Sequence, residues 1–169
     1  VLPLVKKYGA AIVALTLDED GIPDSAAGRV RIAEKIIRTA EEYGIRRCDI
    51  VVDTLAMTVS TGADNAKITL DAIEEIRRRF GVHTVLGVSN ISFGLPRREL
   101  ITSTFFAMAM QRGLSAGIVN PLSGELMKAY RAYCALTGLD DGCKTYIEAY
   151  ANTAAAPDVP AGGAAQAAA

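Results

Sequence analysis

Residues 84–111, TVLGVSNISFGLPRRELITSTFFAMAMQ, change character twice, and that change decides the fold. The segment opens on an apolar run, Thr84 to Val88, whose length and β-branched content are those of a buried strand. Polar Ser89 and Asn90 close the run, Gly94-Leu95-Pro96 makes a turn, and the chain from about Arg98 to Gln111 reads as a helix. Strand, polar turn and helix follow one another as a single βα unit.

The same unit recurs on both sides. Upstream, Ala10 to Leu17 (AAIVALTL) is a short, partly β-branched run between Gly9 and the turn-like DEDGIPDS, and it reads as a strand. From Ala26 to Tyr43 the residues Val30, Ala33, Ile37, Ala40 and Tyr43 recur at three- and four-residue steps with Arg, Lys and Glu between them, and Gly44 is the stop. A second strand follows at Asp49 to Leu55. The next helix, Ala66 to Phe80, carries Leu70, Ile73, Ile76 and Phe80 on one side. Downstream of the opening segment lie a strand at Ala116 to Val119 and a helix from about Leu122 to Thr137. Strands alternating with helices predict a parallel sheet.

Strand starts near Ala10, Asp49, Thr84 and Ala116 give a repeat of about 32 to 39 residues, close to the ~31 expected when ~250 residues are shared among eight barrel units. Every strand ends in polar residues: Thr16 and Asp18, then Asp53 and Thr54, then Ser89 and Asn90, then Asn120. A (β/α)8 barrel presents such residues at one rim, although a doubly wound sheet also binds ligands at that edge.

Composition removes several functions. The 169 residues carry 18 Lys+Arg against 19 Asp+Glu, with the basic residues scattered, so nucleic acid is not an expected partner. No apolar run reaches the ~20 residues of a membrane span, and a cytoplasmic protein is expected. Cys48, Cys134 and Cys143 are too few and too widely spaced for a disulfide framework or a zinc ribbon, and read as reduced thiols. His83 is the one histidine, so triads and histidine-based metal sites have no support, and no metal is expected. Neither GxGxxG nor GxxxxGK[ST] occurs.

Read together, PLVKKYGAAIVALTLDEDGIPDS, DIVVDTLAMTVSTG and TVLGVSNISFGLPRRELITSTFFAMAMQRGLSAGIVNPL resemble the pterin-binding barrel of cobalamin-dependent methionine synthases and the methyltetrahydrofolate:corrinoid methyltransferases. The likeness covers about Leu2 to Tyr150 and is most specific at LGVSNISFGLPRRE. It implies an α/β fold of TIM-barrel type, with residues 1–137 forming the C-terminal half, about four βα units, of an eightfold barrel. A terminal helix over 138–152 and an Ala/Pro/Gly-rich linker or tail over 153–169 would follow, and the front half would come from a longer protein.

The resemblance also implies a chemistry. The chain would bind 5-methyltetrahydrofolate and pass its N5 methyl group to the cobalt of a cobalamin or other corrinoid on a partner domain or protein. Asp53 would accept paired hydrogen bonds from the pterin ring N–H and exocyclic amine, a match of acceptor-only carboxylate to donor pair. Asn90 would lie beside N5 as the catalytic residue, its amide able to donate or accept as that nitrogen gains and loses charge. Arg98 would reach the folate or its polar surroundings, Phe93 would cover one pterin face, and Asn120 would be a further contact. Alternatives are transfer to a corrinoid iron-sulfur protein, a dihydropteroate-synthase-like enzyme, or an inactive pterin-binding fragment needing its missing half. A homo-oligomer is compatible with any of these.

Other residues have plainer readings. His83 begins a strand and so lies at the rim opposite the chemistry. Phe105 to Met110 (FFAMAM) is apolar all round, as expected of a helix wedged between sheet and neighbour, and Asp18, Glu19 and Asp20 read as a solvated turn.

Overall fold

A parallel pair of strands cannot be joined by a tight turn, so each strand here must be followed by a crossover, and each crossover is a helix. In a computed structural model describing residues 1–152, the order is α1 (Leu2–Tyr8), β1 (Ile12–Leu15), α2 (Ala26–Glu42), β2 (Ile50–Asp53), α3 (Asn65–Phe80), β3 (His83–Gly87), α4 (Arg98–Gln111), β4 (Ala116–Ile118), α5 (Gly124–Leu136) and α6 (Lys144–Tyr150). The expected linker or tail at 153–169 lies outside the described residues.

The four strands form one sheet in the order β1-β2-β3-β4, every neighbour parallel. Each unit therefore moves one place in the same direction, with no reversal of strand order. A doubly wound sheet has such a reversal and a barrel does not, so the open alternative is resolved in favour of part of a barrel.

Burial separates the two faces of the sheet. Ala14, Ile50, Val52 and Leu86 point toward the helices and join two apolar clusters. One gathers Val30, Ala33, Ile37 and Ala40 of α2 with Ile76 of α3. The other gathers Leu70 and Ile73 of α3 with Phe105, Phe106 and Ala109 of α4 and Leu126 of α5. Side chains alternate across a strand, so Val13, Leu15, Val51 and Asp53 fall on the opposite face. The register Leu15↔Asp53, Asp53↔Val85 and Gly87↔Ile118 carries that face across the sheet. It is open on the edge strands, where Val13 is 61%, Leu15 44% and Ile118 65% exposed, while Val85 of β3 is buried. Parallel sheets ordinarily bury both faces, and barrel interiors are filled by layers of such branched side chains.

Helix α2 is drawn tightly under the β1–α2 loop. Ser25 caps it by accepting from the Gly28 amide at 3.2 Å. A Cβ on Gly28 would come within 2.6 Å of Pro23 Cβ, so only glycine permits this approach.

The structure departs from the sequence reading at element ends. Helix α1 precedes β1 where the sequence reading places no element; Pro3 lies in its first turn and left-handed Gly9 ends it, its amide reaching back to the last carbonyls. Val88 leaves the strand for a 3-10 turn, Val88–Ser92. In FFAMAM, Phe105, Phe106 and Ala109 are buried but Met108 is 47% exposed, so the helix has an outer face despite its composition. The helix expected over 138–152 begins only at Lys144, because Gly142 and Cys143 take left-handed φ and Asp140 accepts from the amides of Thr145 and Tyr146.

Candidate functional site

Asp53 is the last residue of β2, and its carboxyl-terminal position follows from the register that the flanking loops enforce. The amide and hydroxyl of Thr16, just beyond β1, both donate to the Asp53 carbonyl at 3.1 Å. The chain then turns at once: Leu55 adopts φ 60°, and its N–H donates to Asp53 Oδ1 at 2.8 Å. Among the described residues nothing donates to Oδ2. Burial raises the Asp53 pKa above the ordinary carboxyl value, and the Leu55 N–H offsets part of that rise. The result is a half-buried acceptor on the open face of the sheet with one oxygen held and one available.

Asn90 lies on the neighbouring strand end, in the 3-10 turn after β3. A Cβ on Gly87 would sit 3.2 Å from Asn90 Nδ2, which places the amide over the end of β3. Gly87 pairs with Ile118 and shares the open face with Asp53 through the register at Val85. The structure therefore brings Asp53 and Asn90 to adjacent strand ends on one face. Their loops are also stitched together: the Val59 amide donates to the Ile91 carbonyl, and the hydroxyls of Thr58 and Ser60 donate to the Phe93 carbonyl.

Arg98 and Asn120 occupy a second place on the same rim, a cleft of about 360 Å³ between the starts of α4 and α5, lined also by Ser89, Glu99, Thr102 and Ser123. Arg98 donates to the Ser89 carbonyl at 2.7 Å and to Ser92 Oγ at 3.2 Å, and Ser92 in turn bonds Thr102. Its guanidinium thus braces the loop that carries Asn90. Phe93 is 66% exposed, its ring centroid 5.7 Å from that guanidinium. Asn120 Oδ1 accepts from the Leu122 amide at 3.0 Å, closing a turn beside the cleft that Asn120 lines. Asp53 does not line this cleft.

His83 opens β3 at the other rim, exposed. Asp18 closes a small turn with Gly21, accepting also from the Asp20 amide. Sequence reading missed Arg29. It stands at the start of α2 among the Arg, Lys and Glu residues between the apolar positions, yet it is 1% exposed. Its place four residues before Ala33 puts it on the buried side of the helix, which is the one signal the sequence offers.

An ordered run of parallel βα units, with an acceptor carboxylate and an amide on adjacent strand ends, defines a partial (β/α) barrel with its candidate site at the carboxyl rim. The family model described as pterin binding enzyme matches residues 1–120. The chain belongs to that family. It is 39% identical over 127 residues to the methionine synthase of Mycobacterium tuberculosis and 37% identical over 127 residues to that of Mycobacterium leprae, in both cases across 70% of this chain. It is 32% identical over 142 residues, 82% of its length, to the methylcorrinoid:tetrahydrofolate methyltransferase of Eubacterium limosum. The aligned region spans 11% and 10% of the two methionine synthases and 52% of the third relative. Among the described residues no helix is long and apolar enough to cross a membrane.

Proposed function

We propose that this chain is the C-terminal half of a pterin-binding barrel that holds 5-methyltetrahydrofolate and carries its N5 methyl group to the cobalt of a corrinoid on another domain or protein. One observation carries the reading: the Asp53 carboxylate and the Asn90 amide stand on one open face at adjacent strand ends. The names of the relatives, methionine synthase and methylcorrinoid:tetrahydrofolate methyltransferase, supply the reaction class.

The residues fit a pterin. Asp53 Oδ2 has no donor among the described residues, and Oδ1 keeps a second lone pair beside the Leu55 bond, so the carboxylate can receive an adjacent ring N–H and amine. Asn90, whose amide lies beside Gly87, needs no titration of its own to follow a charge change at N5. Hydrogen bonding that strengthens only as charge develops there lowers the barrier rather than merely tightening binding. The corrinoid supplies the nucleophilic cobalt that takes the methyl. The protein supplies position and a preorganised polar surface. The apolar open face would be covered by four further βα units, which complete the barrel interior.

A second reading concerns direction. The Eubacterium limosum relative is named with the methylcorrinoid as donor and tetrahydrofolate as acceptor. The same two residues would serve that reverse transfer. Rapid mixing of the full-length protein carrying this chain with 5-methyltetrahydrofolate and cob(I)alamin, and separately with tetrahydrofolate and methylcobalamin, tests both. Methyl transfer in either mixture supports the reading and the faster one sets the direction; transfer in neither refutes it.

A further inference from the structure

We propose that Arg29 is a positioning residue of the pterin site, clamping the β2–α3 loop so that the Leu55 N–H holds the Asp53 carboxylate in its binding orientation. The inference rests on the reading of Asp53 as the pterin acceptor and adds a residue that no resemblance pointed to.

Arg29 is a fully buried cation whose hydrogen bonds go to no carboxylate. Its Nε donates to the Pro23 carbonyl at 3.1 Å, and its terminal NH1 donates to the carbonyls of Thr54 at 2.9 Å and Leu55 at 2.7 Å and to Thr69 Oγ1 at 3.1 Å. Thr69 is itself buried and anchored to the Asn65 carbonyl. Two successive βα loops and the first turns of α2 and α3 thus converge on one guanidinium. Burial lowers the Arg29 pKa from its usual value, the expected response of a charge removed from water. A buried charge is costly unless its donors are satisfied, and a planar fork of donors is suited to gathering several carbonyls at once.

What the fork gathers is the strained point of the loop. Leu55 is one of three non-glycine residues with positive φ among those described. A branched side chain avoids that region unless its surroundings over-determine it. Two of those surroundings are the Arg29 bonds to the carbonyls of Thr54 and Leu55 themselves. Turning Leu55 back to negative φ would swing its N–H away from Asp53 Oδ1. Arg29 therefore acts on the ligand-facing carboxylate through two peptide units, without touching the ligand.

The test uses the full-length protein and equilibrium titration with 5-methyltetrahydrofolate, alongside thermal unfolding of each variant. Arg29→Met keeps length and removes the donors; at a temperature where it is folded, its folate Kd should rise tenfold or more, on the order expected for displacing a binding group by a fraction of an ångström. Adding Leu55→Gly, which relieves the left-handed strain and retains the N–H, should recover at least about threefold of that loss. Arg31→Met, on the exposed side of α2, is the control and should leave the Kd unchanged. If Arg29→Met does not fold, Arg29→Lys carries the measurement, with a smaller rise expected because one nitrogen cannot reach all four acceptors. A folded Arg29 variant with wild-type Kd overturns the proposal, as does a loss that Leu55→Gly does not recover. Asp53→Asn, titrated in parallel, separates this from the site reading: wild-type affinity there refutes the role of Asp53 itself, whatever Arg29 does.

Discussion

Asp53→Asn replaces one oxygen by an amide nitrogen, and the structure dictates which one. The Leu55 N–H, 2.8 Å from Oδ1, requires an acceptor, so the amide oxygen stays there and the NH2 turns toward the ligand. The loop is retained, while the pterin donor pair meets a donor. One charge-assisted hydrogen bond is lost, about 1.5 to 3 kcal/mol, and one ligand N–H is left unpaired against the protein. Together these come to roughly 2 to 4 kcal/mol, a rise in Kd of about 30- to 700-fold at 1.4 kcal/mol per decade. Calorimetric or fluorescence titration of the full-length protein with 5-methyltetrahydrofolate reads this directly. Because loop geometry is preserved, the Tm should not fall. A Kd within twofold of wild type would refute the donor-acceptor argument.

Since burial raises the Asp53 pKa, folded chain takes up that proton at higher pH than unfolded chain; stability from this group should therefore increase as pH falls through the folded pKa, while folate affinity, which needs the carboxylate, should decrease over the same window. Both trends should vanish in Asp53→Asn, as pH-resolved unfolding and titration would show. Asn90→Ala should cost roughly 2 to 4 kcal/mol in the methyl-transfer barrier at saturating folate, with a smaller effect on Kd, so stopped-flow rates and binding should separate the two residues. Gly28→Ala forces a contact of 2.6 Å with Pro23 Cβ and should destabilise by about 1 to 3 kcal/mol, seen as a lower midpoint in denaturant; an unchanged midpoint would mean that α2 and its loop separate freely.

The parts of the fold legible in the sequence are those where local periodicity and tertiary demand agree. The stripe Val30, Ala33, Ile37 and Ala40 gives α2 because the same residues pack on β1 and β2. Polar residues at each strand end mark the rim, where Ser89, Asn90 and Asn120 meet solvent while Thr16 is buried and ties β1 to the Asp53 carbonyl. Choosing a barrel over a doubly wound sheet, by contrast, needs strand order, and order is a property of long-range pairing that no window of sequence contains. The 3-10 turn at Val88–Ser92 is hidden for a related reason: Val88 is apolar and buried in the same cluster as Leu86 of β3, so its composition is that of a strand residue. Arg29 is hidden because a charge near a helix start ordinarily faces water, and its burial is explained by acceptors that the chain brings together from Pro23, from Thr54 and Leu55, and from Thr69. Asp53 and Asn90 were singled out through the family likeness; their shared face follows from register and from the missing Cβ of Gly87.

The central claim is that a pterin lies on the open face at the ends of β2 and β3. A crystal structure of the full-length protein with 5-methyltetrahydrofolate bound tests it most directly. The account predicts the ring N–H and exocyclic amine on the Asp53 carboxylate, with the Asn90 amide beside N5. A pterin bound elsewhere, or reaching only the cleft between α4 and α5 with Asp53 untouched, would contradict it.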